Sequence, residues 1–322
     1  MTADGATVGV IMTCYNEGAY IEEAVRSVLQ QTLADRIESI VIADDGSNAT
    51  TIAVLKTIEG WDRRIRILYG PGGVGLPGQR NIAASHITAP IVAILDGDDL
   101  WTADKLERQL PAFADPGVGL VYSDYFSFAD GSMDKALRAG VLDVSGASDL
   151  ARSYFLNDPP IIPSTALIRR DAFDRAGGFD ASVKVFEDTD FYMRLAGVCR
   201  FALVDTPVLY KRLRPTSITG GRNDLMAHHA FVALKAAAAR PDLLSLVPRR
   251  LGERARKLGN QRYLSGDRAG ATRLLRFATQ MDAWNIKAWG SLAIAMAGHG
   301  IVGRWLAPRL ARRRQMMGIE PS

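Results

Sequence analysis

A chain of 322 residues, 48% apolar and 23% charged, has the make-up of a globular protein with one large domain and a smaller one, which excludes intrinsic disorder. Its two cysteines, Cys14 and Cys199, stand far apart without metal-ligand spacing, so a disulfide scaffold is excluded too and a reducing, cytoplasmic setting is expected. The net charge of +4 conceals an asymmetry: from Arg240 onward 16 Lys and Arg face 5 Asp and Glu, a balance of +11 that leaves −7 for residues 1–239. An acidic front part suits a divalent cation, and a basic tail suits an anionic surface or partner.

The opening MTADGATVGVIM lacks the basic start and long apolar run of an export signal and reads as a polar lead into a strand at residues 7–12. That strand ends in Thr13, Cys14, Tyr15 and Asn16. Ile21, Ala24, Val25, Val28 and Leu29 then recur at helical spacing, with Asn16 as the expected cap. A second apolar run, residues 39–43, ends in Asp44-Asp45-Gly46-Ser47. After the Gly/Pro-rich GPGGVGLPGQRN comes a third, Ile91 to Leu95, reading as a strand buried on both faces and ending in Asp96, Asp98 and Asp99. Three carboxylates within four residues repel one another unless they face water, a cation or a donor; an acidic turn capping a helix from Thr102 would use the same residues.

Strand, helix and strand in this order predict an α/β fold with a mostly parallel, mixed sheet and crossover helices. Its ligand site belongs at the C-terminal ends of the strands, where Thr13/Tyr15, Asp44/Asp45 and Asp96/Asp98 all fall. Asp44-Asp45-Gly46 would equally form an Asx-type turn, and Arg80, read alone, a solvated charge.

The set TCYNEGAYIEEAVRSVLQQT, IVIADDGS, GQRNIAAS, ILDGDDLW, GGFD and EDTDFYMRL resembles glycosyltransferase family 2, inverting enzymes of the Rossmann-like A-type fold, over residues 7–219. The resemblance implies transfer from a nucleoside diphosphate sugar (UDP-sugar first, dTDP- or GDP-sugar otherwise) to a glycan or lipid-linked acceptor in cell-surface polysaccharide or glycolipid synthesis. It implies Mg²⁺ or Mn²⁺ on Asp96 and Asp98, with Asp96 also near the ribose. Tyr15 would stack on the base, Thr13 would contact it, and Asp45 beside Asp44 would read base edge or ribose. Arg80 would lie near base or phosphate. Asp188 would be the base that takes the acceptor's proton, with Glu187, Gly178 and Phe179 on the acceptor side. After Tyr210 the family pattern runs toward a histidine, and here Arg214 stands in its place. A guanidinium cannot ligate a metal but can clamp a diphosphate.

Residues 1–221 are thus expected to form the catalytic domain and 222–322 a helical region. His228 and His229 fall inside an alanine-rich helix, where adjacent side chains diverge and a surface position is expected. Residues 254–289 resemble a single tetratricopeptide-like helical pair joined at Ser265-Gly266-Asp267. The apolar part of residues 288–317 is too short to span a bilayer, and with its Arg-rich end it suits either an anionic membrane surface or packing on the catalytic domain. Nothing in the chain matches a nucleic-acid-binding motif. A sugar nucleotidyltransferase and a non-catalytic sugar-nucleotide-binding scaffold are the alternative readings. The first lacks its basic phosphate loop between Thr13 and Gly18; the second is suggested by Arg214.

Overall fold

The computed structural model describes residues 5–214 and 225–297. Each apolar run ending in acid becomes a parallel strand. The chain passes through β1 (Val8–Cys14), α1 (Ile21–Leu29), β2 (Ile37–Asp44), α2 (Ala49–Glu59), β3 (Ile65–Tyr69), α3 (Leu76–Ala84) and β4 (Ile91–Asp96). Then follow β5 (Leu100–Trp101), α4 (Lys105–Gln109), β6 (Val118–Ser123), β7 (Phe126–Ala129), β8 (Leu137–Arg138), α5 (Leu150–Asn157), β9 (Leu167–Arg169) and α6 (Arg170–Arg175). The unit closes with α7 (Glu187–Leu195), β10 (Arg200–Val204) and β11 (Leu209–Leu213).

The main sheet runs β10-β6-β9-β4-β1-β2-β3, parallel except for β9, which is antiparallel to both neighbours. This is the mixed, mostly parallel sheet expected. β1 and β4 are buried along their lengths, as strands covered by helices on both faces must be. β3 has no counterpart in the sequence reading; it is an edge strand with Arg66 and Tyr69 exposed. A second sheet, β5-β11-β7-β8, is new as well. Leu100 and Trp101 pair in it with Tyr210 and Leu209, and the helix expected near Thr102 begins just beyond, as α4 after Asp104.

Asn16 does not cap α1. Its backbone is left-handed (φ 56°), its N–H donates to Ser47 Oγ (2.8 Å) and its side chain accepts from Asn48 N–H (2.8 Å), so it ties the loop after β1 to the loop after β2.

Packing divides the chain into residues 1–154 with 158–212, and residues 155–157 with 213–322. In the second unit run α8 (Leu225–Ala239), α9 (Val247–Leu264), α10 (Arg268–Met281) and α11 (Ile286–Ala297). α9 and α10 form a hairpin through the expected joint at Gly266, and they meet on small residues. A Cβ on Gly259 would lie 2.8 Å from Leu275 Cγ, and one on Gly252 would lie 3.1 Å from the Ala278 carbonyl oxygen. His229 of α8 is buried rather than on the surface, and burial, with Arg250 and Lys257 adding to it, pushes its pKa down to about 3. No described helix is long and apolar enough to cross a membrane. The Arg-rich end of the tail, from residue 298, lies outside the described residues.

Candidate active site at the carboxyl edge of the sheet

Register brings the motifs together. On β1, Thr13 pairs with Ala43 and with Asp96, and Cys14 pairs with Asp44, so the acidic ends of β2 and β4 flank the end of β1 at one level. The turn after β4 is crowded: a Cβ on Gly97 would sit 2.4 Å from Glu17 Oε2 and 3.0 Å from the Thr13 carbonyl oxygen, so no side chain fits between Asp96 and Asp98.

On the β2 side, Asp44 is fully buried. Its Oδ2 accepts from the N–H groups of Gly46 and Ser47 (3.1 Å each), which is the Asx turn. Asp45 is half-buried and reaches the 70–75 loop: Oδ1 accepts from Val74 N–H (3.0 Å) and the Gln79 amide (2.9 Å), and Oδ2 from Gly75 N–H (2.8 Å). Burial alone would raise the Asp45 pKa, but the donors of Gln79, Gly75 and Val74, with the charge of Lys184, hold it below the ordinary value. Thr13 is buried, and Tyr15, at 62% exposure, offers an open ring at the mouth of this loop pair.

On the β4 side, Arg80 is not a solvated charge. It is 1% exposed, with Nη2 on Asp96 Oδ1 (2.6 Å), Nη1 on Glu187 Oε1 (2.8 Å) and its guanidinium 5.2 Å above the Phe179 ring. Burial would weaken its hold on its proton, and the two carboxylates more than reverse that. One guanidinium thus joins the end of β4 to the start of α7, where Glu187 lies 107 positions beyond Arg80.

Asp188 follows Glu187 in the first turn of α7, which begins after Phe186 in a left-handed conformation (φ 64°). Asp188 is half-buried, and its Oδ1 accepts from Thr189 N–H (2.6 Å). Burial raises its pKa, and Asp96 adds to this while Arg80 and Lys211 oppose it. Burial and the neighbouring Asp188 likewise push Glu187 up to about 7. Asp190 instead pairs with Arg194 (2.8 Å), which donates to the carbonyls of Ala176 and Gly178 and so braces the GGFD turn.

Phe179 is 2% exposed and packs on Phe173 and Phe191 with the Arg80 guanidinium over its ring, while Gly178 (φ 64°) leaves only 2.8 Å between an added Cβ and Asn81 Oδ1. Glu187 is committed to Arg80. Asp99 caps no helix: it is buried, accepting from Ser164 Oγ (2.7 Å) and Arg212 N–H (3.1 Å), and burial together with Asp98 and Asp96 pushes it up to about 7 against the pull of Lys211.

Ser164, Lys211 and Arg212 therefore belong to the site although nothing in their local sequence marks them. Ser164 Oγ also accepts from the N–H of Asp96 (3.1 Å). Arg212 donates to the Asp98 carbonyl (3.1 Å), to Glu23 (2.7 Å) and to Asp130, and lies over the rings of Tyr20 and Phe128. Arg214, which follows β11 directly, is half-buried and packs with the second unit.

Among the described residues no three His, Cys, Asp or Glu side chains are grouped to hold a metal ion. Asp96 has one carboxylate oxygen on Arg80, and Asp98 stands two residues further on, in the turn closed by the bond from Asp99 N–H to the Asp96 carbonyl (3.1 Å).

The chain belongs to glycosyl transferase family 2, whose model matches residues 9–177, just over half of its length. The *Escherichia coli* UDP-Glc:alpha-D-GlcNAc-diphosphoundecaprenol beta-1,3-glucosyltransferase WfgD is 36% identical over 122 residues, 38% of this chain and 47% of that protein. The putative teichuronic acid biosynthesis glycosyltransferase TuaG of *Bacillus subtilis* is 36% identical over 134 residues, 41% of this chain and 52% of that protein. The chain thus matches about half the length of these relatives. Among solved structures, *S. aureus* TarS 1-349 in complex with UDP-GlcNAc superposes with a TM-score of 0.62 at 17% identity, covering 89% of this chain and 88% of that one, a likeness of fold.

Proposed function

We propose that the protein transfers a sugar from a nucleoside diphosphate sugar to a hydroxyl acceptor in one in-line displacement that inverts the anomeric centre. The observation that carries this reading is Arg80, which joins Asp96, at the end of a central strand, to Glu187, beside Asp188. A donor-side acid and a proton acceptor are thereby held as one piece, as a single displacement requires.

Asp45 and Tyr15 hold the nucleoside, with Thr13 and Asp44 shaping the strand ends beneath it. Asp98 and Asp96 would hold a Mg²⁺ or Mn²⁺ ion shared with the diphosphate, which when bound supplies a Lewis acid for the leaving group. Asp188, whose pKa burial raises above the ordinary value, takes the acceptor's proton as the acceptor oxygen attacks. The UDP-GlcNAc complex of TarS and the UDP-glucose named for WfgD support a UDP-sugar donor, and WfgD and TuaG together support an acceptor in cell-surface glycan assembly, lipid-linked as for WfgD. We expect the reaction to run in the cytoplasm, the setting that the two distant cysteines suggest.

The test is Asp188→Asn. Transfer is expected to fall about 10²–10⁴-fold while nucleoside diphosphate binding, followed by thermal shift with and without Mn²⁺, stays near wild type. Full activity in this variant removes Asp188 from the role.

A further inference from the structure

Lys211 has no part in the reading above, yet it is built into the site. Alternation along β11 sends Tyr210 and Arg212 to one side, where Tyr210 stacks on Phe126 at 5.2 Å and Arg212 reaches Asp130 and Glu23, and turns Lys211 to the other. β11 pairs with β5 through Leu209↔Trp101 and Tyr210↔Leu100, so the next step of the register sets Lys211 against Asp99, and the Arg212 N–H bonds to that carboxylate (3.1 Å).

The charges of Asp96, Asp98 and Asp99 all act on the Lys211 ammonium, which in turn acts on Asp188. Lys211 nevertheless makes no ion pair within 4.0 Å and no side-chain hydrogen bond among the described residues. Its three donors are held in place by the field of the acids and are not spent on any one of them. A diphosphate entering beside these carboxylates needs positive charge from the protein. Arg80 cannot supply it, because its two terminal nitrogens are taken by Asp96 and Glu187 and it is sealed from solvent.

We infer that Lys211 is the protein's own cation for the leaving group, donating to the diphosphate of the donor beside Asp96 and Asp98. This rests on the glycosyl-transfer reading. As the bond from the anomeric carbon to the diphosphate oxygen breaks, its electron pair passes to that oxygen. The acceptor oxygen forms the new bond, its proton goes to Asp188, and Lys211 keeps its own proton throughout. A donor fixed where charge accumulates acts more strongly in the transition state than before it.

The experiment compares wild type with Lys211→Met and Lys211→Arg in the full chain. A thermal-shift screen of UDP, dTDP and GDP selects the nucleotide, and calorimetry then measures the mono- and diphosphates of that base with and without Mn²⁺. In Lys211→Met the preference for diphosphate over monophosphate should shrink about tenfold or more with monophosphate affinity unchanged, and kcat should fall about 10²–10³-fold. Lys211→Arg should recover part of both.

An unchanged diphosphate preference overturns the inference, and so does an equal loss for both nucleotides, since Lys211 would then only keep the acids apart. If Lys211→Met does not fold, Lys211→Gln gives the same comparison. Wild-type turnover with an indifferent Lys211 removes this inference alone, whereas a wild type that neither binds these nucleotides nor transfers sugar removes the glycosyl-transfer reading with it.

Discussion

Asp45 and Asp188 are both half-buried carboxylates, and their pKa values are shifted in opposite directions. Asp45 faces neutral donors, the backbone of residues 74–75 and the Gln79 amide, and its pKa lies below the ordinary value. Asp188 is raised above its ordinary value chiefly by burial, and Asp96 adds to this. Donors aimed at a carboxylate favour its anion, whereas burial beside another acid favours the protonated form. The partners set the role, and the residue type only permits it.

The comparison breaks most sharply at Arg80. Arg80→Met leaves Asp96 and Glu187 facing each other unpaired, and urea denaturation is expected to show a loss of about 3–5 kcal/mol. Glu187→Gln sharpens it. A buried carboxyl raised to about 7 contributes stability that is fully present below the ordinary value of 4.5 and is lost as pH rises through 7. Wild type should therefore lose stability across that window, and Glu187→Gln should flatten the fall by on the order of 2 kcal/mol, Asp99 keeping its own share. Unfolding midpoints at pH 5 and pH 8 for both proteins check this.

Asp45→Asn is the smallest change. It weakens hydrogen bonds to a partly solvated anion and is expected to cost about 1 kcal/mol at neutral pH. The sign of its pH dependence is opposite: the contribution of Asp45 is present above the ordinary carboxylate value and is lost below it, so the variant should differ from wild type least in acid. A larger difference in acid than at neutral pH would contradict the account of Asp45.

What the sequence made legible follows the range of each interaction. Strands buried on both faces announce themselves as unbroken apolar runs, and the acids that end them mark the edge, so β1, β2, β4 and the level of Thr13, Asp44 and Asp96 were open to reading. The edge strand β3, with an exposed Arg66, carries no such run. Arg80 looked like a surface charge because its second partner, Glu187, lies 107 residues away. Ser164 and Lys211 meet the acid turn through strand register, which no local motif records, and His229 is buried by packing that an alanine-rich helix does not spell out.

One feature of the sheet governs how the molecule is made. β9 is threaded between β4 and β6, and the acid turn after β4 gains its last backbone partner, the N–H of Arg212, from 113 residues further along. At about 5–20 residues per second on the ribosome, roughly 6–23 seconds separate the emergence of the two. During that interval the nascent chain carries its acids without the groups that later restrain them, and the half that grips the nucleoside can be assembled well before the half that performs the chemistry exists.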